Sequence, residues 1–273
     1  MTTKEIMDIA LELAGITEIP QDSDINVPGE NIKRVLAGID INSAEILAAH
    51  QLGYDCVLRH HPRGYKMASV GDMEVRDHME MMLQNGVPIN IAQKVATPRK
   101  KRMNHSMHAY NLVEQVQFAS LLGVSFLSIH TPADLILEHE LQNRMKKLTE
   151  SKEKVILKDI LENLRQIPEF TKTPVGPEIW LGDDSSYAGK IMVTMAGGGA
   201  PSTEEYIACI NAGVGTIITM HIYDDTLEAI EKDGRCNLIV TGHYPSDSYG
   251  INRILDELVN RGIEVTRIGG IVY

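Results

Sequence analysis

The sequence is poor in cysteine, in aromatic residues and in long apolar runs, and each shortage excludes a class of protein. Its three cysteines, Cys56, Cys209 and Cys236, form neither a Cys-x-x-Cys pair nor a disulfide framework, which indicates reduced thiols in a cytoplasmic protein. Aromatic residues make up 5% of the chain, which argues against base-stacking platforms for nucleic acid. No apolar run approaches the roughly 20 residues that a membrane-spanning helix needs. The amphipathic start of the chain predicts a helix and not a signal peptide.

Positive charge is also in short supply. The 26 Lys and Arg residues face 37 Asp and Glu residues, which gives a net charge of −11. Such a surface repels phosphate backbones, so we expect no nucleic-acid partner. The best local basic patch, Lys94 with residues 99–102, is short, and a solvated loop is its simpler interpretation. A length of 273 residues allows a buried core in one large or two small domains.

Strands and helices alternate along most of the sequence. Short apolar runs predict strands at 32–39, 55–59, 87–91, 124–129, 190–195, 215–220, 237–241 and 264–268. Helical patterns fill the intervals, at 43–52, 72–84, 104–122, 132–148, 203–212, 224–231 and 247–261. This order favours an α/β fold with largely parallel or mixed sheets flanked by helices.

The middle of the chain interrupts the alternation. Residues 146–154 are rich in charge and residues 168–177 are rich in proline, and between them lies one helical stretch at about 155–166. We therefore predict a first α/β lobe over 1–145, a connecting insertion over 146–185 and a second α/β segment over 186–273.

Histidines follow four of the predicted strands, at His60-His61, His130, His221 and His243. Parallel strands bring their carboxyl ends to one edge of a sheet, where open α/β proteins bind ligands. Asp134 and Asp247 stand four residues after His130 and His243, and we expect each in the first turn of the next helix. Imidazole with carboxylate is a ligand set for Zn, Fe or Mn. Two ions that share one carboxylate would activate a water between them.

Each of these residues also has a structural interpretation. Asp134 and Asp247 can be helix-start residues that the helix dipole favours, and a single histidine after a strand is more often a surface or hydrogen-bonded residue. The triplet His60-His61-Pro62 is harder to explain in this way, because Pro62 ends the strand and both imidazoles can then face one cavity. The joint occurrence of the three groups favours a metal site.

Five segments in a fixed order carry a family resemblance. They are Gly38-Ile39-Asp40, the stretch from Asp55 to Pro62, His130-Thr131-Pro132-Ala133-Asp134, Met195-Ala196-Gly197-Gly198-Gly199, and Thr241-Gly242-His243-Tyr244-Pro245-Ser246-Asp247. Together they resemble the GTP cyclohydrolase 1 type 2 homologues, also called the Nif-three-like dinuclear metal-binding family. The resemblance spans most of the chain. It implies a two-lobed Nif-three-like α/β fold and a homo-oligomer, often a hexameric ring.

The same resemblance implies two divalent metal ions per chain (Zn, Fe or Mn), held by His60, His61, Asp134, His243 and Asp247. The family usually has glutamate at the last of these positions, so the shorter Asp247 departs from the pattern. Met220-His221 also departs from it, since the family often has Gly-Glu there. His130 and His221 are then the candidates for catalytic proton transfer.

Two functions from different classes fit these features. The first is a metal-dependent hydrolase that acts on a small nucleotide-like or phosphorylated substrate through a metal-activated water. The GTP cyclohydrolase activity in the family's name is not carried over. The second is a non-catalytic metal-binding regulatory or scaffold protein that forms a ring oligomer. The glycine run at 197–199 either cradles a phosphate on its amides or forms a tight turn that needs positive φ.

Overall fold

The structure, a computed structural model, describes residues 1–273 and divides into two compact units, each formed by separated stretches of the chain. Unit 1 comprises Met1–Val70, Met103–Ile136 and Asp247–Tyr273. Unit 2 comprises Gly71–Arg102 and Leu137–Ser246. No helix combines the length with the apolar composition that a membrane crossing needs.

Strands and α-helices alternate along the chain. The strands are β1 (Asp24–Val27), β2 (Arg34–Gly38), β3 (Cys56–Arg59), β4 (Ser125–Ser128), β5 (Glu178–Leu181), β6 (Lys190–Thr194), β7 (Val214–Thr219), β8 (Asn237–Val240) and β9 (Glu264–Ile268). The helices are α1 (Thr3–Ala14), α2 (Ser43–Gln51), α3 (Val70–Gln84), α4 (Ile89–Ala109), α5 (Glu114–Leu122), α6 (Thr131–Ser151), α7 (Leu157–Leu164), α8 (Pro168–Thr171), α9 (Thr203–Asn211), α10 (Asp224–Asp233) and α11 (His243–Asn260).

Unit 1 is built around a five-stranded mixed sheet with the order β1-β4-β3-β2-β9. Strands β2, β3, β4 and β9 are parallel, and β1 pairs with β4 in the antiparallel sense. All four residues of β3 are buried, as expected of a central strand covered on both faces. Leu36, Val57 and Phe126 from the sheet pack with Ile46 of α2 and Ala119 of α5 in one apolar core. This core fixes the ends of β2, β3 and β4 as a rigid edge.

Unit 2 contains a four-stranded mixed sheet with the order β5-β8-β7-β6. Its three parallel strands are β6, β7 and β8, and β5 is an antiparallel edge strand. Ile217 of β7 and Leu238 of β8 are fully buried in a core that also contains Met82 of α3 and Tyr206 of α9. The prediction of an α/β fold with mixed sheets flanked by helices is therefore confirmed. The lobe boundaries at 145 and 186 stay a prediction.

One predicted strand is wrong. The apolar run at 87–91 does not extend a sheet, because Val87 packs into the core of unit 2 and α4 begins at Ile89. Pro88 explains the difference, since it lacks the N–H that a strand ladder uses and its fixed φ suits the first turn of a helix. The amides of Ile91 and Ala92 both donate to the carbonyl of Pro88.

Three further details depart from the sequence prediction. The single helix predicted at 104–122 is two helices, because Asn111 accepts a hydrogen bond from the amide of Val113 and turns the chain between α4 and α5. Asp247 lies in the second turn of its helix, since α11 begins at His243. The basic patch belongs to α4 and is no loop, and its Arg99 is buried.

Candidate metal centre

The carboxyl edge of the unit 1 sheet brings three histidines together. His60 and His61 follow β3, and His130 follows β4, which is its parallel neighbour. The amide of His60 donates to the carbonyl of Gly38, and the amide of Ile129 donates to the carbonyl of Arg59, so the ladder continues past the strand ends. The ring of His60 lies 5.2 Å from that of His61 and 4.8 Å from that of His130. One ring nitrogen from each of the three lies within 4.8 Å of the others.

In each of these three imidazole rings, Nδ1 forms a hydrogen bond with a group outside the cluster, which we call its outer partner. His60 Nδ1 lies 3.0 Å from the carbonyl oxygen of Ile129, and His61 Nδ1 lies 3.0 Å from Asp40 Oδ1. His130 Nδ1 lies 2.7 Å from Asp22 Oδ2. Because a carbonyl or a carboxylate only accepts, each Nδ1 carries a proton and donates. This arrangement directs the three Nε2 atoms toward one another, as metal-binding histidines require.

The two outer carboxylates are themselves held in place. Asp22 is buried and accepts a second hydrogen bond, of 2.6 Å, from the hydroxyl of Thr131. Asp40 accepts from the buried guanidinium of Arg59 at 2.9 Å. Arg59 also donates to the carbonyl of His61 at 2.7 Å, so one side chain fixes both the backbone and the outer partner of that histidine.

Asp134 and Asp247 bring two buried carboxylates to the same place. Asp134 Oδ1 lies 3.4 Å from His60 Nε2, and Asp134 Oδ2 lies 3.7 Å from His130 Nε2. Asp247 Oδ1 lies 3.7 Å from His60 Nε2, and Asp247 Oδ2 lies 3.4 Å from His61 Nε2. Each carboxylate therefore faces two different imidazoles with its two oxygens.

These separations suit a metal ion better than direct hydrogen bonds. Two donors on one Zn ion, at about 2.1 Å and at a tetrahedral angle, lie about 3.4 Å apart. The distances of 3.4 and 3.7 Å between His60 Nε2 and the two carboxylates match that spacing. His60 Nε2 is buried and forms no hydrogen bond. The chemistry and spacing of this donor set fit a divalent cation, and the buried His and Asp groups can hold metal ions.

The protonation of two of the histidines differs sharply in the metal-free protein. Burial lowers the pKa of His60 to about 4, so its ring is neutral at pH 7 and Nε2 has a lone pair to offer. Burial acts in the same direction on His130, but the charges of Asp134 and Asp22 outweigh it and raise the pKa of His130 to about 10. A metal ion at His130 Nε2 would have to replace a proton.

Comparison with solved structures gives the family. A NIF3 superfamily protein from Sphaerobacter thermophilus is 33% identical to this chain, with a TM-score of 0.94, and the match covers 99% of this chain and 98% of that one. The chain belongs to the NIF3 superfamily. The resemblance found in the sequence motifs is thus confirmed, and the NIF3 fold together with the His and Asp groups fits a metal-binding protein.

More distant structures share the fold alone. Reduced HcgD from Methanocaldococcus jannaschii has a TM-score of 0.59 at 15% identity, and the match covers 98% of this chain and 97% of that one. A Bacillus cereus protein related to NIF3 has a TM-score of 0.51 at 10% identity, with 98% and 96% covered. No protein-family profile matches the chain, and no curated protein matches it.

His221 and His243 belong to unit 2 of this NIF3 superfamily chain. They follow the neighbouring parallel strands β7 and β8, and their ring centroids lie 4.7 Å apart. The ring of Tyr223 lies 5.9 Å from that of His221. His243 is also the first residue of α11, one helical turn before Asp247. The sequence analysis expected all four histidine groups at one sheet edge. The structure instead divides them between two sheets, with His60, His61 and His130 after strands of the first and His221 and His243 after strands of the second.

The glycine run at 197–199 lies on a buried network of charged side chains. His78 Nε2 lies 3.1 Å from the carbonyl oxygen of Gly197, and Arg99 donates to the carbonyls of Gly199 and Ala200 at 2.8 and 2.9 Å. Added Cβ atoms would lie 3.2 Å from His78 at Gly197 and 2.9 Å from Glu74 at Gly198. Gly197 and Gly198 also have positive φ. These contacts favour the structural interpretation of the run over phosphate binding.

Two residues of the candidate metal centre were missed by sequence reasoning. Asp22 precedes β1, and because β1 runs antiparallel to β4, its start lies at the same edge as the end of β4. Asp40 stands in the motif that follows β2, where we assigned it no role. A polar residue shortly before an antiparallel edge strand is the signal that would have found Asp22.

Proposed function

We propose that this chain binds two divalent metal ions and hydrolyses a small nucleotide-like or phosphorylated substrate. The observation that carries the proposal is the position of Asp247, whose two oxygens lie 3.7 Å from His60 Nε2 and 3.4 Å from His61 Nε2. His60, His61 and Asp247 would hold the metal, and a carboxylate that faces two imidazoles suits a two-metal site. When bound, such ions lower the pKa of a shared water and make it a nucleophile near neutral pH.

The proposed ligands are His60, His61, Asp134, His243 and Asp247. Four of them lie together in unit 1, with the distances given above. His243 enters through the family resemblance and through its position four residues before Asp247 on α11, a spacing that puts both side chains on one helix face. Imidazole suits Zn and Fe, and the carboxylates also suit Mn, so we propose one of these three metals.

The remaining residues would handle protons. His130 is protonated at pH 7 in the metal-free protein and is held by Asp22, so it can donate a proton to a leaving group. His221 lies beside His243 in unit 2, where it can exchange a proton with the substrate. Substitution of His221 by Asn would then lower kcat and change its pH profile while the metal content stays unchanged.

The test is reconstitution followed by a substrate screen. Untagged protein loaded with Zn²⁺, Mn²⁺ or Fe²⁺ is assayed against nucleotides and phosphoesters, beside a His60→Ala/His61→Ala double variant. His50→Ala is the control, since His50 is an exposed residue of α2. We expect turnover in the wild type and in the control and none in the double variant. Turnover that survives in the double variant would contradict the proposal, and metal binding without any turnover would favour the regulatory or scaffold role.

We also propose that the chain forms a homo-oligomer, such as a hexameric ring, because the family resemblance implies one. Native mass spectrometry of the metal-loaded protein tests this directly. A monomer at micromolar concentration would contradict it.

A further inference from the structure

Helices α6 and α11 are in backbone contact at one point within unit 1. A Cβ atom added to Gly250 of α11 would lie 1.9 Å from the carbonyl oxygen of Ala133 and 2.9 Å from its Cα. Both of these atoms belong to the backbone of α6, so no rotation of a side chain could relieve the clash. Both residues are buried. Only glycine fits at this crossing.

The crossing lies next to the two carboxylates of the candidate metal centre. Gly250 follows Asp247 by three residues on α11, and residues at this spacing share one face of a helix. Ala133 directly precedes Asp134 on α6. The contact between Gly250 and Ala133 therefore sets the distance between the helix segments that carry Asp247 and Asp134.

That distance matters because aspartate has a short reach. Its carboxyl carbon is only two bonds from Cα, yet the oxygens of Asp247 lie 3.7 Å from His60 Nε2 and 3.4 Å from His61 Nε2. The backbone of α11 must come close for these distances to hold. Glutamate would add one C–C bond, of about 1.5 Å. Its carboxylate would then extend past the position that the Asp247 carboxylate occupies.

We infer that Gly250 is a positioning residue for the metal site, and that its missing side chain matches the helix spacing to aspartate at position 247. This inference rests on the proposed metal-binding function. Alanine at position 250 would force the helices apart by roughly 1 Å, since a Cβ needs more than about 3 Å from a backbone oxygen in a close-packed interior. This displacement is close to the length that glutamate adds to the side chain, so glutamate at position 247 would compensate for it.

A double-mutant cycle tests the inference through metal affinity, without any need for a substrate. Wild type, Gly250→Ala, Asp247→Glu and the double variant are titrated with Zn²⁺ against a chromophoric chelator. Metal content and the absorption spectrum with Co²⁺ are measured in parallel. Each single change is expected to weaken the less tightly held ion by about 10- to 100-fold. The double variant is expected to recover most of this loss, which is a strong departure from additivity.

The outcomes separate this inference from the proposed function. If the wild type binds no metal, both fail. If it binds metal but the losses of the two single variants multiply in the double variant, or Gly250→Ala keeps full affinity, only the role of Gly250 is overturned. Alanine is the better helix former, so a loss in Gly250→Ala cannot come from helix propensity.

A fallback comparison and one further variant keep the test decisive. If Gly250→Ala does not fold, Asp247→Glu alone decides, since equal or tighter metal binding in that variant overturns the inference. Asp256→Glu is the matched control, because Asp256 is a half-exposed residue of the same helix and the chemical change is the same. Its metal affinity should equal that of the wild type.

Discussion

The carboxyl edges of the two sheets carry similar residues but use them differently. At the first edge, an outer partner holds Nδ1 of each histidine while Nε2 faces a buried carboxylate oxygen at 3.4 to 3.7 Å. At the second edge, buried charges satisfy one another and the backbone. Arg99 Nε donates to Glu74 at 2.7 Å, and both Arg99 and His78 contact Glu205 Oε2, at 3.2 and 3.1 Å.

The comparison shows that burial of charge alone does not mark a metal site. His60 and His78 are both buried, and each has a carboxylate nearby. They differ in the second ring nitrogen, since His78 Nε2 lies at hydrogen-bond distance from the carbonyl of Gly197, whereas His60 Nε2 forms no hydrogen bond. We therefore interpret the cluster at the first edge as a ligand site. The network of His78, Arg99, Glu74 and Glu205 at the second edge, which does not include His221 or His243, supports the glycine run.

The largest effect on metal binding should follow the loss of His60. His60→Ala removes the imidazole that faces both carboxylates, and we expect a loss of Zn²⁺ affinity of more than 100-fold, beyond the usual effect of an outer partner. His78→Ala should leave Zn²⁺ affinity unchanged, because His78 belongs to the other network. Chelator competition measures both variants. Equal losses in the two would remove the distinction between the edges.

A large loss of stability should follow the loss of Arg99. Arg99→Met leaves the buried carboxylates of Glu74 and Glu205 without their shared cation, and breaking such a buried pair costs about 3–5 kcal/mol. Urea unfolding measures the free energy of unfolding. Arg76→Met is the control, since Arg76 is exposed on α3 and a change there should stay within about 0.5 kcal/mol. A loss of metal without a loss of stability in Arg99→Met would contradict our interpretation of the network.

Smaller effects should follow changes to the outer carboxylates. Asp40→Asn keeps the shape but removes the charge that orients the proposed ligand His61, and such a change usually costs 10- to 100-fold in metal affinity. Asp22→Asn should cost less, because Asp22 orients His130, which we propose as a proton donor and not as a ligand. A larger loss for Asp22→Asn in a chelator titration would show that His130 itself binds the metal.

The smallest effect concerns the pH dependence of stability in the metal-free protein. The pKa of His60 falls from its ordinary 6.5 to about 4 on folding, so its contribution is present above pH 6.5 and is lost as the pH drops toward 4. The pKa of His130 rises to about 10, so its contribution is present below pH 6.5 and is lost as the pH rises through 10. Stability should therefore be highest near neutral pH.

Urea unfolding in EDTA across the pH range measures this dependence. His130→Gln should remove much of the alkaline loss and keep the acid loss. An unchanged alkaline loss in that variant would show that His130 gains no proton affinity on folding.

Sequence reasoning identified most of the strands and the histidines that follow them. Central strands such as β3 are buried on both faces and therefore appear as continuous apolar runs. The edge strands β1 and β5 were missed, because none of their residues is fully buried and neither strand shows the buried apolar run of a central strand. Missing β1 also meant missing Asp22, whose position depends on the antiparallel direction of that strand.

The geometry of the site was less predictable than its composition. Spacing suggested that Asp134 and Asp247 approach the strand ends, but the sequence could not show which oxygen faces which imidazole. Nor could it show that α6 and α11 meet at Gly250, since that contact depends on two segments more than a hundred residues apart in the chain. Local patterns predict which residues reach an edge, and tertiary packing sets the distances between them.

Metal content of the untagged protein tests the central claim most directly. Protein purified without an affinity tag, reconstituted with Zn²⁺, Mn²⁺ or Fe²⁺ and freed of excess metal, is analysed by inductively coupled plasma mass spectrometry. We predict a ratio of about two metal ions per chain, the stoichiometry of a two-metal site. A ratio well below one, even after reconstitution, would contradict the assignment of His60, His61, Asp134, His243 and Asp247 as metal ligands.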